Sequence, residues 1–263
     1  MPEGDAVYRT GARLRAALDG RVLTRSDFRV PRHATADLAG RAVLTTLTRG
    51  KHLLTRVEGG LTVHTHLRMD GSWRVQAEGT PVRAGDVVRL VLANARWQAV
   101  GIKLGVVDLL PTEREDRVVG HLGPDLLSPA WDAAHAATAA GNIAARPEVT
   151  IGEALLDQRN VAGLGTIWRA ETLYLSGVSP FTPAGDVPDL VKMMTLAHRL
   201  LEASKDDPGG PMTTGDPRPG RRLWAYGRAG RPCPRCGGRI VGGELGAQPY
   251  ERLVFYCPTC QPR

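Results

Sequence analysis

Val7, Gly11, Leu14 and Leu18 recur at helical spacing behind a short polar opening, and Gly20 ends the run. The spacing predicts a first helix with one buried face. From residue 41 the period changes. Short apolar or alternating runs at 41–48, 52–57, 61–66, 73–75, 87–93 and 102–110, parted by glycines and polar turns, predict strands. Strands at such intervals suggest a β-sandwich or a barrel-like unit. The pattern breaks at 120–129, where Gly-His-Leu-Gly-Pro-Asp interrupts it, and helical spacing returns at 131–140, 151–158, 166–175 and 188–203. Residues 206–222 are rich in Pro, Gly and Asp and read as a linker. The expected fold is therefore α+β in two domains. A β-sandwich flanked by helices occupies 1–120, a hinge 121–130, a helical region 131–225 and a small cysteine-bearing module 226–263.

Charge narrows the function. Lys plus Arg number 34 against 27 Asp plus Glu, so the net charge of +7 favours a polyanionic partner such as nucleic acid. Arginine far outnumbers lysine, which suits forked contacts to phosphate. No stretch has the apolar length of a membrane span, and no signal-peptide core follows the N-terminus, so a soluble cytosolic protein without membrane contact is expected.

Cys233, Cys236, Cys257 and Cys260 form two CxxC pairs separated by twenty residues. That spacing predicts one structural Zn²⁺ held by four thiolates, and it leaves no open position for a reactive water. Two disulfides are disfavoured in a reducing compartment. Arg221, Arg222, Arg228, Arg231, Arg235 and Arg239 crowd this segment, either as phosphate contacts or as a solvated surface.

The opening Met1-Pro2-Glu3-Gly4-Asp5 carries further chemistry. If Met1 is removed, Pro2 offers a secondary amine. An α-amino group titrates near about 8, against about 10.4 for lysine, so part of it is unprotonated at neutral pH and can condense with an aldehyde carbon. Glu3 stands one residue away as a proton donor or acceptor. The competing reading is that both residues simply start a helix. Farther on, Asn160-Val161-Ala162-Gly163-Leu164-Gly165 either presents a helix N-terminus to a phosphate or makes an ordinary helix connection.

Four motifs in order, Pro2-Glu3-Gly4, Arg49-Gly50-Lys51-His52-Leu53, Asp157-Gln158-Arg159 leading to Ala162-Gly163-Leu164-Gly165, and Phe255-Tyr256-Cys257-Pro-Thr-Cys260-Gln261, together resemble the formamidopyrimidine-DNA glycosylase and endonuclease VIII family. The likeness spans essentially the whole chain, and the Pro-Glu-Gly-Asp opening is more similar to the actinobacterial endonuclease VIII branch. It implies a helix-two-turn-helix motif in the helical region and a β-hairpin zinc finger at the end. It also implies base-excision repair: a bifunctional glycosylase and β,δ abasic-site lyase acting on oxidised bases, preferentially pyrimidines, in double-stranded damaged DNA. A monomer associated with the nucleoid is expected. The alternative is a noncatalytic paralogue that holds lesions or abasic sites.

The resemblance assigns roles residue by residue. Pro2 is the Schiff-base nucleophile, Glu3 the general acid, and Lys51 a phosphate or proton-transfer residue. Arg252 grips the phosphates around the lesion. Gly165 and Thr166 contact phosphate, although the family commonly carries Asn where this chain has Thr166, whose hydroxyl is a shorter donor. Arg68 and Met69 are expected to fill the space left by a flipped nucleotide. The Arg-Phe wedge of the formamidopyrimidine branch is not recognisable near Trp97. His64 and His66 alternate on one strand face and lack the carboxylate pattern of a metal site.

Overall fold

The computed structural model describes residues 2–83, 85–247 and 251–262. The chain divides into two compact units, one comprising residue 2 with 6–121, the other residues 3–5 with everything from 122 onward.

The first unit is built on two four-stranded antiparallel sheets. One has the order β2 (Val43–Arg49), β3 (His52–Val57), β4 (Leu61–His66), β8 (Val106–Pro111). The other runs β1 (Arg25–Phe28), β6 (Val88–Ala93), β7 (Trp97–Ile102), β5 (Ser72–Ala77). Their apolar faces share a core containing Phe28, Leu53, Val63, Trp73, Leu90 and Leu92 with Leu14 and Leu18 of α1 (Gly4–Leu18). Gly11 lets that helix lie close to the sheet, since a Cβ there would meet Thr48 Cγ2 at 2.6 Å. A single turn, α2 (Asp116–Val119), follows β8.

The sandwich matches the expectation from strand spacing, with three corrections. β1 is absent from the sequence reading because Arg-Ser-Asp-Phe carries one buried residue in four and has no apolar period. Trp97, which lies outside the predicted strands, begins β7. The predicted strand at 102–110 is the end of β7, a turn and β8. Lys103 takes a left-handed φ of 49°, so the chain reverses within an apolar run that hides the turn.

The second unit contains α3 (Ala133–Ala144), α4 (Ile151–Ala154), α5 (Thr166–Ser176) and α6 (Leu190–Ser204), followed by a hairpin of β9 (Val241–Leu245) and β10 (Arg252–Tyr256). Its core gathers Leu126, Ile143, Leu155, Leu164, Trp168, Met194 and Leu201. Three helices are capped by their own sequence, with Asp132, Thr150 and Asp189 accepting from His135, Glu153 and Lys192 backbone N–H groups. The helix expected over 151–158 stops after one turn. Asp157 turns back onto Arg159, accepting from its backbone N–H at 3.0 Å and from its guanidinium at 2.7 Å, which gives the chain a local alternative to the helical ladder.

Candidate functional site

α5 begins without a side-chain cap of its own, because Gly165 holds the N-cap position. The cap arrives from the far end of the sequence. Glu3, 2% exposed, accepts from Ile167 N–H at 2.7 Å and from Trp168 N–H at 3.2 Å. Its carboxylate thus complements the positive end of the helix dipole. Gly165 has to be glycine, since a Cβ there would stand 2.3 Å from the Glu3 carboxyl carbon. The same segment is fastened twice more: Gly4 N–H donates to Gly163 O at 2.9 Å, and Trp168 Nε1–H donates to Asp5 Oδ1 at 2.9 Å. Gln158 braces the intervening turn, accepting from Gly163 N–H at 3.0 Å and donating to Leu164 O at 3.0 Å. Residues 3–5 and 163–168 therefore form one bonded block. The free-standing helix N-terminus expected near Thr166 is in part already occupied by Glu3.

Lys51 lies in the two-residue hairpin turn between β2 and β3, where Gly50 adopts the φ of 56° that the tight turn demands. Next to it His52 belongs to an imidazole cluster. His52 Nδ1 is 2.8 Å from His64 Nε2, and its ring meets those of His66 and His121 at centroid distances of 4.8 and 6.3 Å. His64 is 3% exposed, and its Nδ1 has no hydrogen-bond partner among the described residues. Placing the proton of that pair on His64 Nε2, donating to His52, avoids a buried N–H with no acceptor. Burial, reinforced by the neighbouring His66, His64, His121 and Arg68, pushes His52 down to about 3. Burial and then the cations Arg68 and Lys51 bring His66 to about 4. These rings are neutral at physiological pH, which leaves the charge at this end of the sheet to Lys51 and Arg68.

Arg68 and Met69 follow β4 in the loop to β5. Met69 is 63% exposed, so it is no core residue. Arg68 has a left-handed φ of 56°, donates its N–H to His66 Nδ1 at 2.9 Å, and lays its stem over Gly105, where a Cβ would clash at 2.1 Å.

In the terminal hairpin the four cysteine sulfurs lie within 4.8 Å of one another. Sγ separations of 3.9 Å for Cys233–Cys260 and 3.5 Å for Cys236–Cys257 bracket the roughly 3.8 Å edge of a tetrahedron with metal–sulfur bonds of about 2.3 Å. They are far beyond a disulfide bond of about 2.0 Å. The donor set fits a tetrahedral metal. Burial by itself raises the Cys233 thiol, yet hydrogen bonds from the Tyr174 hydroxyl and from the Cys236 and Arg235 backbones bring it down to about 6.

Arg252 opens β10, exposed, opposite Leu245. Arg169 of α5, wholly buried, donates to Gly152 O at 3.1 Å and to Leu253 O, tying the hairpin to the helices. Glu171, also buried, accepts from the backbone N–H groups of Trp224, Ala225 and Tyr226 at 2.8 to 2.9 Å. Sequence reasoning passed over Arg169, Glu171, His52 and His121. Opposite charges at 169 and 171 within an apolar helical run were the available signal for the first two.

The geometry converges with two domain families. The formamidopyrimidine-DNA glycosylase N-terminal domain matches residues 1–102, and the formamidopyrimidine-DNA glycosylase H2TH domain matches residues 122–203. A Streptomyces coelicolor protein named probable endonuclease 8 2 is 53% identical over 99% of this chain and 94% of its own. A Mycolicibacterium smegmatis protein named DNA-(apurinic or apyrimidinic site) lyase Nei2 is 44% identical over 99% of both. The Lactococcus lactis enzyme Fpg, crystallised with DNA containing N7-benzyl-Fapy-dG, superimposes with a TM-score of 0.82 at 22% identity over the full length of each chain. The chain belongs to the formamidopyrimidine-DNA glycosylase and endonuclease VIII family.

Proposed function

We propose that this protein is a bifunctional DNA glycosylase and abasic-site lyase of base-excision repair, acting on oxidised bases, preferentially pyrimidines, in double-stranded DNA. The observation that carries the reading is the bonded block of residues 3–5 and 163–168, which fixes the chain directly after Pro2. A nucleophile so close to a rigid anchor is pre-oriented, which is a large part of what an enzyme contributes to a two-body reaction.

In this reading the Pro2 amine attacks C1′ of the damaged nucleotide, the C1′–N bond breaks, and the base leaves with a proton. Glu3 supplies the proton that opens the sugar, giving an imine between Pro2 and C1′. The imine acidifies the C2′ proton. Its removal expels the 3′ phosphate, and a second elimination expels the 5′ phosphate. Lys51 holds a phosphate or helps proton transfer, Arg252 grips the phosphates around the lesion, Gly165 and Thr166 contact phosphate, and Arg68 with the exposed Met69 fills the gap in the stack. Cys233, Cys236, Cys257 and Cys260 hold one structural Zn²⁺, which when bound fixes the hairpin that carries Arg252. The division into 1–120, 121–130, 131–225 and 226–263 then corresponds to catalysis, hinge, helix-two-turn-helix and finger. The protein acts as a cytoplasmic, nucleoid-associated monomer. Met1, whose removal the mechanism requires, lies outside the described residues.

Borohydride trapping on duplexes carrying thymine glycol, dihydrouracil, 8-oxoguanine or an abasic site tests this. The expected result is a covalent adduct with the wild type, none with Pro2→Gly, and δ-elimination products from the pyrimidine lesions. Tight binding to an abasic duplex with no adduct on any substrate would instead select the noncatalytic paralogue, the reading that Thr166 in the family's Asn position favours.

A further inference from the structure

The zinc reading concerns the four cysteines, and a fifth side chain reaches them. Tyr174 lies on α5, whose first turn is capped by Glu3, and it is fully buried. Its hydroxyl stands 3.1 Å from Cys233 Sγ. The ring packs against the Trp224 indole, stacked at 5.8 Å with an interplanar angle of 15°, and against the Arg235 guanidinium 4.8 Å from its centroid. Tyr174, Ala225, Cys233, Ile240 and Cys257 make up one apolar cluster, so no solvent competes for the hydroxyl. A thiolate has no proton to give, so in a metal-loaded finger the phenol O–H must be the donor.

We propose that Tyr174 is an outer-sphere ligand of the metal centre, a positioning residue that donates its hydroxyl proton in a hydrogen bond to the Cys233 thiolate and so slows metal loss while tying the finger to α5. This rests on the zinc reading above. The physical basis is that a hydrogen bond withdraws charge from the sulfur, which makes the thiolate a poorer target for the protons and oxidants that would detach it from the metal. Because the bond is charge-assisted and buried, its loss should be felt more than that of an exposed contact. The ring also bridges the finger and the helix whose N-terminus holds the Glu3 anchor, so loading of the metal is felt along α5.

The test uses the full-length protein with its metal. Tyr174→Phe keeps the ring, its stacking and its volume and removes only the donor. Metal release to a colorimetric chelator should accelerate by roughly 10–100-fold, the range typical when a metal ligand loses its supporting hydrogen bond. With cobalt(II) in place of zinc, the sulfur-to-metal charge-transfer band should shift to lower energy, because the sulfur lone pair is no longer stabilised. Thr172→Val is the control. It removes another fully buried hydroxyl from the same helix, one with no hydrogen-bond partner among the described residues, and should change neither readout. Should Tyr174→Phe hold one metal equivalent and release it at the wild-type rate with an unshifted band, the outer-sphere role is wrong and the zinc finger stands. A wild-type protein with no stoichiometric metal overturns both. If Tyr174→Phe misfolds, circular dichroism reports it, and Tyr174→3-fluorotyrosine, a stronger donor of nearly the same shape, should slow release and shift the band the other way, an absence of any shift counting against the proposal.

Discussion

The imidazoles of the sandwich and the thiols of the finger are both tight clusters of side chains able to bind metals, and they are built in opposite ways. The thiols come as two CxxC pairs, each on its own local turn, so the chain folds around the cluster. Among the described residues, only these four cysteines bring three or more metal-binding atoms together. The imidazoles come from β3, β4 and the far end of the unit, brought together by strand register: His52 stands opposite His66, and His64 opposite Asp108. His52 and His64 pair with each other, and burial lowers the proton affinity of His52, His64 and His66. One cluster is made to concentrate charge on a cation; the other is made to exclude charge beside Lys51. Side-chain type therefore says little about function until pairing and burial are known.

The sharpest way to break the contrast is Cys257→Ser. It should abolish stoichiometric metal binding and the fixed structure of the hairpin, whereas His52→Gln should leave metal content unchanged; elemental analysis of the two purified variants decides it. A loss of metal in His52→Gln would make the imidazoles a second metal site.

Acid should separate the clusters next. His52 and His66 have folded values near 3 and 4, below the ordinary 6.5, so between those limits the unfolded chain binds protons that the folded chain does not. Their contribution is fully present above about pH 6.5 and is lost as pH falls toward 3 to 4, with a slope of up to about 1.4 kcal/mol per pH unit for each ring. Denaturant unfolding from pH 7 to pH 5 should show this fall, and a His52→Gln, His66→Gln double variant should flatten it. An unaltered slope would mean the rings titrate normally. A smaller effect is expected for His64→Ala, which strips His52 of its partner and leaves a cavity; it should cost about 2 kcal/mol in the same assay.

The finger was legible because its chemistry dictates its spacing, and the sandwich because short apolar or alternating runs mark β3, β4 and β6. What escaped has a common cause. The polar strand β1 forms only because β6 offers an edge, and the β7–β8 reversal turns on the backbone of Lys103 rather than on a break in hydrophobicity. The imidazole cluster depends on register across strands, which periodicity along one strand does not encode. At the amino end the motifs single out Glu3 and Gly165 separately. That the first caps the helix beginning at the second is a contact across more than 160 residues, visible only in three dimensions.

The anchoring of Glu3, Gly4 and Asp5 also sets an order of events during synthesis. Their partners at 163–168 are translated last among the pieces of that block, and at roughly 5–20 residues per second the ribosome needs on the order of ten seconds to reach them. Until then the amino end has nothing to dock on and stays open to processing enzymes. Once the block closes, Glu3, Gly4 and Asp5 are buried in it, so in the mechanism proposed above the interval of translation is a window in which Met1 can be removed before its neighbours are fixed.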